Sequence, residues 1–325
     1  MMNAERAHHP ARSFLARHWV GLVSLLVVAG YALLVETVWG WAVLFAQWRA
    51  IGGGRVAAAL AILLGTQLLR TYRIYDYFPE TRRRFASLFR VVQLHNLVNI
   101  LFPFRSGEAS FPLLMRAEFA VPVARSSAAL LWMRALDLHA LLCVAGLALL
   151  LGPGQGVLRR DLLVAAWCLF CLLPACAPFL MRRLGPLAAR IPPPKLRRLA
   201  LEAHAGLPAT TGAYLRTIAF TLINWAAKLV ALGWILVLLG LEDWAPAIGG
   251  AVGGELSSVL PVHAPGGVGT YPAGITAGAL AFGHDPSGAS LSLLGRAAVN
   301  AHVLVFVSAL VSTGLSLCLS ALRCR

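Results

Sequence analysis

Apolar residues in this chain come in long unbroken runs, such as "WVGLVSLLVVAGYALLV" from Trp19 to Val35, and not in strict alternation with polar ones. Runs of about 20 apolar residues match the thickness of a bilayer crossed by a helix, whereas a membrane barrel needs alternating segments of about 10. The pattern predicts spanning helices at about 19–38, 55–73, 126–151, 161–181, 213–240 and 290–320. Two further apolar regions, about 85–119 and 246–283, are interrupted near their middles by proline and glycine. Each is too long for one span and too broken for two, which predicts a re-entrant helical hairpin whose tip is buried in protein or lines a cavity. The fold class that follows is an all-α integral membrane protein with about six spans and two broken hairpins.

Composition agrees with the pattern. The chain is 59% hydrophobic and 13% charged, with a mean hydropathy of +0.74, outside the range of soluble domains. A net charge of +15 would suit nucleic acid, but the basic residues fall in short blocks beside apolar runs with no nucleic-acid motif, so they read as topology signals. By that rule the segments holding Arg6 to Arg17, Arg82 to Arg84 and Arg182 to Arg198 face the cytoplasm of an inner, plasma membrane. Residues 1–18 form a cytoplasmic N-terminal segment, 19–320 a single transmembrane domain and 321–325 a cytoplasmic tail. No cleavage site follows the first run, so it is expected to stay as a helix. Cys168 and Cys171 form a CxxC without a second pair or a histidine at ligand spacing, so no metal and no cofactor is expected.

The chain also echoes itself. Pro103 and Pro265 lie 162 positions apart, and the same offset relates Gly107 to Gly269 and Arg134 to Arg296. This divides the domain into repeats at about 55–151 and 213–320, each a span, a broken hairpin and a span. Three spans separate the hairpin tips, so the halves have inverted topology. Paired Gly/Pro-interrupted segments in two such halves are the sequence mark of a transporter's binding site.

The candidate chemistry lies in those interruptions. In "NILFPFRSGEASFPLLM", Arg105 offers a planar fork for phosphate or carboxylate, Gly107 breaks the helix, and Glu108 can hold that fork or take a proton. In "LPVHAPGGVGTYPAG", His263 stands before Pro265, Gly266, Gly267 and Gly269, whose backbone amides can approach a ligand. Within the spans, Arg134 and Asp137 share a helix face, Arg296 and Asn300 share another, and Lys228 and Glu255 are charges inside apolar segments. Charges at bilayer depth are costly and usually face a wet interior, so together they predict a polar cavity between the repeats.

The stretches "PFRSGE", "RSSAALLWMRALDLHAL" and "PGGVGTY" resemble the transmembrane region of lysylphosphatidylglycerol synthases and their stand-alone flippase-like relatives, including hopanoid-associated members, over about residues 20–320. The resemblance implies a lipid-translocating domain with re-entrant hairpins, and points to Arg105, Gly107, Glu108, Arg134, Asp137, Pro265, Gly266, Gly267 and Gly269. Relatives commonly carry an acidic residue shortly after the second motif, where this chain has Pro272; Glu255 or His263 would have to take its place in any proton coupling. The chain ends at Arg325 directly after its last span, so the soluble aminoacyl-transferase domain of the synthases is not expected on it. The leading expectation is a flippase-like transporter of a polar or anionic lipid (phospholipid, hopanoid or polyprenyl type) with a membrane lipid as partner and no nucleic acid. The alternatives are a membrane-embedded head-group transferase with Glu108, Asp137 or His263 as base, and a non-catalytic partner of lipid-biosynthesis enzymes.

Overall fold

The computed structural model describes residues 25–102, 107–151, 157–259 and 264–322, and among these the regular structure is helical throughout. In chain order the helices are α1 (Leu25–Val38) and α2 (Trp41–Ile51), α3 (Gly53–Tyr77), α4 (Phe85–Leu101), α5 (Ser110–Phe119), α6 (Val123–Leu151) and α7 (Val157–Leu172). They continue with α8 (Ala177–Ala189), α9 (Pro194–His204), α10 (Thr211–Leu238), α11 (Trp244–Val259), α12 (Thr270–Ala281) and α13 (Gly288–Leu322). Among the described residues four stretches are long and apolar enough to cross a membrane: Val123–Leu147, Asp161–Ala189, Thr211–Leu238 and Gly288–Leu322; α1 with α2 makes a fifth only as a pair bent by 78°.

That differs from six straight spans in three places. The interval after residue 38 is not a loop: Gly40, at φ 80°, turns the chain directly into α2. The corner is pinned where the Trp41 backbone N–H donates to Glu36 Oε2 at 2.9 Å and its indole to the Ala32 carbonyl at 3.1 Å. The expected span at 55–73 lies in α3, whose 25 residues reach about 37 Å. Arg70, Arg73 and Asp76 keep it from being purely apolar, because two of those charges turn inward, Arg70 to Asn96 Oδ1 at 3.1 Å and Arg73 to partners described below. The expected span 161–181 runs on to Ala189 through a 3-10 turn at Leu173–Cys176, so Arg182 and Arg183 belong to the helix and not to a loop.

Both broken regions fold as antiparallel helix pairs. In the first, Glu118 at the end of α5 accepts from Arg84, just before α4, at 2.6 Å, and from Arg90 on α4 at 2.7 Å. The start and the end of that hairpin are therefore tied together. In the second, α11 and α12 meet at backbone distance: a Cβ on Gly253 would lie 2.1 Å from the Gly274 carbonyl oxygen, and one on Gly278 2.1 Å from that of Gly249. Small residues four apart allow this approach, which gives helices in lipid their van der Waals contact.

Two apolar clusters hold the bundle. One joins α10 through α13 around Leu232, Leu236, Ala247, Ala251, Ala297 and Ala301. The other joins the end of α3 to α4, α5 and α6 around Phe78, Leu88, Val92, Phe111 and Met133. By contrast α7 and α8 bury almost nothing, with Leu162, Leu169, Leu172 and Phe179 all more than 60% exposed, as expected of a span facing acyl chains. A charged belt closes one end of the bundle: besides the two Glu118 pairs it contains Arg125 with Glu80, and Arg216 with Asp76 at 3.0 Å. The basic helix α9 sits at this end, beside Gly206, whose carbonyl accepts from the Tyr77 hydroxyl at 2.6 Å.

Candidate functional site: a polar cavity between the two hairpins

The sequence of α3 explains how charge enters the core. Arg70 and Arg73 are one helical turn apart, and the same face carries Gln67, so three polar groups point into the bundle from one stripe. Arg73, 5% exposed, donates to Asp137 on α6 at 2.7 and 3.3 Å and to the Thr221 hydroxyl on α10 at 2.8 Å. Asp137 also accepts from the Trp225 indole at 3.0 Å and from Arg134 at 3.5 Å. A carboxylate so surrounded offsets the desolvation of two guanidinium groups, and the arrangement ties α3, α6 and α10 into one unit.

Arg134 links this anchor to the first hairpin. Its Nε lies 3.1 Å from Glu108 Oε1, and Glu108 also receives the Asn99 side-chain amide at 3.4 Å and lies 3.6 Å from His95 Nε2. The opposite ring nitrogen of His95 contacts the Ser110 hydroxyl at 2.9 Å. Gly107 is required here for space: a Cβ would stand 2.5 Å from the Asn99 Cα, so the chain after the interruption packs directly on the last turn of α4.

The second hairpin supplies a matching set. Lys228 on α10 donates to Glu255 on α11 at 2.7 Å, and the Tyr271 hydroxyl on α12 donates to the other carboxylate oxygen, also at 2.7 Å. The ammonium also lies 5.4 Å from the Trp225 ring centre. Pro265–Gly267 forms a 3-10 turn in which Gly266 and Gly267 adopt φ 68° and 69°, followed by Gly269 at 74°, conformations that favour glycine. The Gly266 carbonyl contacts His302 Nε2 on α13 at 2.9 Å.

These groups surround one cavity of about 100 Å3 with an open mouth. Its polar wall comprises Gln67, Arg70, Asn96, Asn99, Arg134, Lys228, Glu255 and Tyr271; its apolar wall comprises Ile100, Val259, Val305, Phe306 and Ala309. Gly266, Gly267 and His302, with Trp225, Ser257, Ser258 and Thr270, complete it.

Of the residues expected from sequence, Arg134, Lys228, Glu255, Gly266 and Gly267 line the cavity. Glu108 and Asp137 stand behind it as partners of Arg134. Gly107, Pro265 and Gly269 shape the two interruptions. Arg105 and His263 lie outside the described residues. Arg296 and Asn300 are not among the residues that line it: at about 100° per residue, α13 turns His302, Val305 and Phe306 to the cavity and Asn300 away. Asn300 donates instead to the Leu44 carbonyl at 3.2 Å and Gln47 at 2.6 Å, fastening α13 to α2. The residues missed include Gln67, Arg70, Arg73, His95, Asn96, Asn99 and Tyr271. Arg70 and Arg73 were legible as two arginines a turn apart inside an apolar helix; the amides carried no signal before the bundle was assembled.

The fold and the site define a helical membrane domain with a central polar cavity built from paired charges and two broken helical hairpins. Residues 21–308 match the family described as lysylphosphatidylglycerol synthase TM region, and the chain belongs to that family. No curated protein and no solved structure gives a match.

Proposed function

We propose that the chain moves a polar or anionic lipid between leaflets, the head group passing through the cavity while the acyl chains stay in the bilayer. The observation that carries this reading is the convergence of both interrupted segments on one cavity with a polar and an apolar wall. Family membership agrees with a role in membrane lipid chemistry. In this reading the halves 55–151 and 213–320 are inverted repeats whose hairpins enter from opposite faces of the cell's inner membrane, both termini being cytoplasmic. Rocking of one half against the other exposes the cavity to each side in turn. Glu108 is suited to the moving part, since it joins the first hairpin to α6 through Arg134.

The test is lipid translocation in liposomes, with fluorescent phospholipids and a reductant that quenches only the outer leaflet. Wild-type protein is expected to raise quenching beyond the outer-leaflet share. Glu108→Gln is expected to slow it about tenfold, the value of one charge-assisted hydrogen bond, while the protein remains monodisperse. Identical quenching in protein-containing and empty liposomes would sink the reading.

A further inference from the structure

The CxxC of the sequence does not close on itself. Of the five cysteines among the described residues, Cys168, Cys176 and Cys318 are exposed, whereas Cys143 and Cys171 are half-buried between α6 and α7. The Cys171 thiol donates to Cys143 Sγ at 3.4 Å, and Cys143 Sγ lies 3.4 Å from Nε2 of His139, one turn earlier on α6. With that ring nitrogen as acceptor, the three groups form one relay, thiol to thiol to imidazole. The crossing is fixed on both sides of the pair. The Trp167 indole donates to the Cys143 carbonyl at 2.8 Å, a Cβ on Gly146 would lie 2.6 Å from the Trp167 ring, and Phe170 packs on His139 with ring centres 4.7 Å apart. Sulfurs held in this way are within reach of a disulfide by side-chain rotation.

Among the described residues no three His, Cys, Asp or Glu groups converge as metal ligands, so the chemistry open to the pair is that of a dithiol. Its surroundings choose the electron acceptor. Cys171 belongs to the apolar stretch Asp161–Ala189, about 15 Å along it from Asp161, and its neighbours Leu169 and Leu172 are 68% and 63% exposed. A charged, water-soluble oxidant is kept from that depth by the cost of entering hydrocarbon. A quinone dissolved in the bilayer meets no such barrier, and the outer face of α7 is open to it.

We propose that Cys143 and Cys171 are a dithiol site that reduces a lipid-soluble quinone and closes to a disulfide. Cys143 gives its proton to His139 Nε2, and its thiolate adds to the quinone ring. Cys171 Sγ then attacks Cys143 Sγ, and the bond from sulfur to the ring breaks with its electron pair leaving on the quinol. One S–S bond replaces two S–H bonds, the quinone gains two electrons, and the two thiol protons end on its oxygens. The bridge ties α7, which buries almost nothing, to α6, the helix that carries Arg134 and Asp137. The redox state of the membrane thereby sets how firmly the lipid-facing span is held. The inference is independent of the transport reading above.

The test uses the purified, reduced protein in liposomes, treated either with decylubiquinone or with oxidised glutathione, which stays in water. After denaturation the remaining thiols are alkylated and the peptides mapped by mass spectrometry, while quinol is followed by absorbance. The expected result with quinone is a linked Cys143 and Cys171 pair, with one quinol formed per bridge. Bridging by oxidised glutathione is expected to be at least about tenfold slower. Cys171→Ser is expected to form neither bridge nor quinol, and Cys168→Ser to behave as wild type. His139→Phe, which keeps a ring against Phe170, is expected to reach the same bridge about a hundredfold more slowly. The wild-type map and quinol count need no variant, so the test stands if a substitution does not fold. Full alkylation of both thiols after quinone treatment, a bridge from Cys168 to Cys171 in their place, quinol formed equally by Cys171→Ser, or equal bridging by the two oxidants would overturn the proposal. An unchanged rate in folded His139→Phe would overturn the proton step assigned to that ring.

Discussion

At the scale of single residues, the ion pairs divide sharply by environment. Arg198 and Glu202 on α9 form an exposed i, i+4 pair at 2.9 Å with the arginine side chain 84% exposed, and Arg198→Ala is expected to cost less than about 0.5 kcal/mol. Asp137, 1% exposed, is a different case. Asp137→Asn leaves the buried Arg73 and the partly buried Arg134 sharing a neutral amide, a loss of about 3 kcal/mol, expected as a clear drop in the thermal unfolding midpoint in detergent. If Asp137→Asn unfolds no earlier than Arg198→Ala, then Asp137 does not anchor α3 to α6 and α10. The sequence placed Asp137 beside Arg134 at i, i+3, and that contact exists, but the stronger partner is Arg73, 64 positions away. Local spacing finds the near neighbour; only folding finds the far one.

At the scale of elements, the second hairpin depends on how closely its helices approach. Glycines 249, 253, 274 and 278 let α11 and α12 touch along their backbones, and this sets Glu255 within reach of Tyr271. Gly278→Val is expected to push the helices apart, lengthen that hydrogen bond and abolish translocation together with a fall in thermal stability. Gly314→Ala on α13 meets no atom within 4 Å and is expected to be neutral or stabilising by up to about 1 kcal/mol. Equal behaviour of the two variants in melting and translocation would show that the close approach is not required. The hairpins themselves were legible, because proline and glycine inside long apolar runs have few other readings. The bend between α1 and α2 was not, since Gly40 looks like an ordinary boundary until its backbone is seen turning one helix into the next.

For the whole molecule, the charged belt and the chain order set a polarity. The end holding Arg84, Arg125, Arg216 and α9 is where the first hairpin opens, while α11 and α12 open at the end where α10 finishes and α13 begins. The basic end is expected to be cytoplasmic by the positive-inside rule. An impermeant thiol reagent applied to intact cells is therefore expected to modify Ser287→Cys, in the turn before α13, and to reach Lys195→Cys on α9 only after permeabilisation. Measured against a background lacking the native cysteines, modification of both from outside, or the reverse order, would refute this orientation.

The sequence by itself determined the bilayer as the solvent, helices as the secondary structure, the two interruptions as the place to look, and the family. Each of these follows from local facts: run length, proline and glycine positions, and contiguous motifs. The tertiary structure decided which charges cancel. Whether Arg73 meets a carboxylate depends on the distance from α3 to Asp137 on α6, and no spacing along the chain encodes that distance. The same holds for the cavity wall, where Gln67, Asn96 and Asn99 become polar groups at a site only because α3 and α4 are packed against hairpins formed elsewhere in the chain.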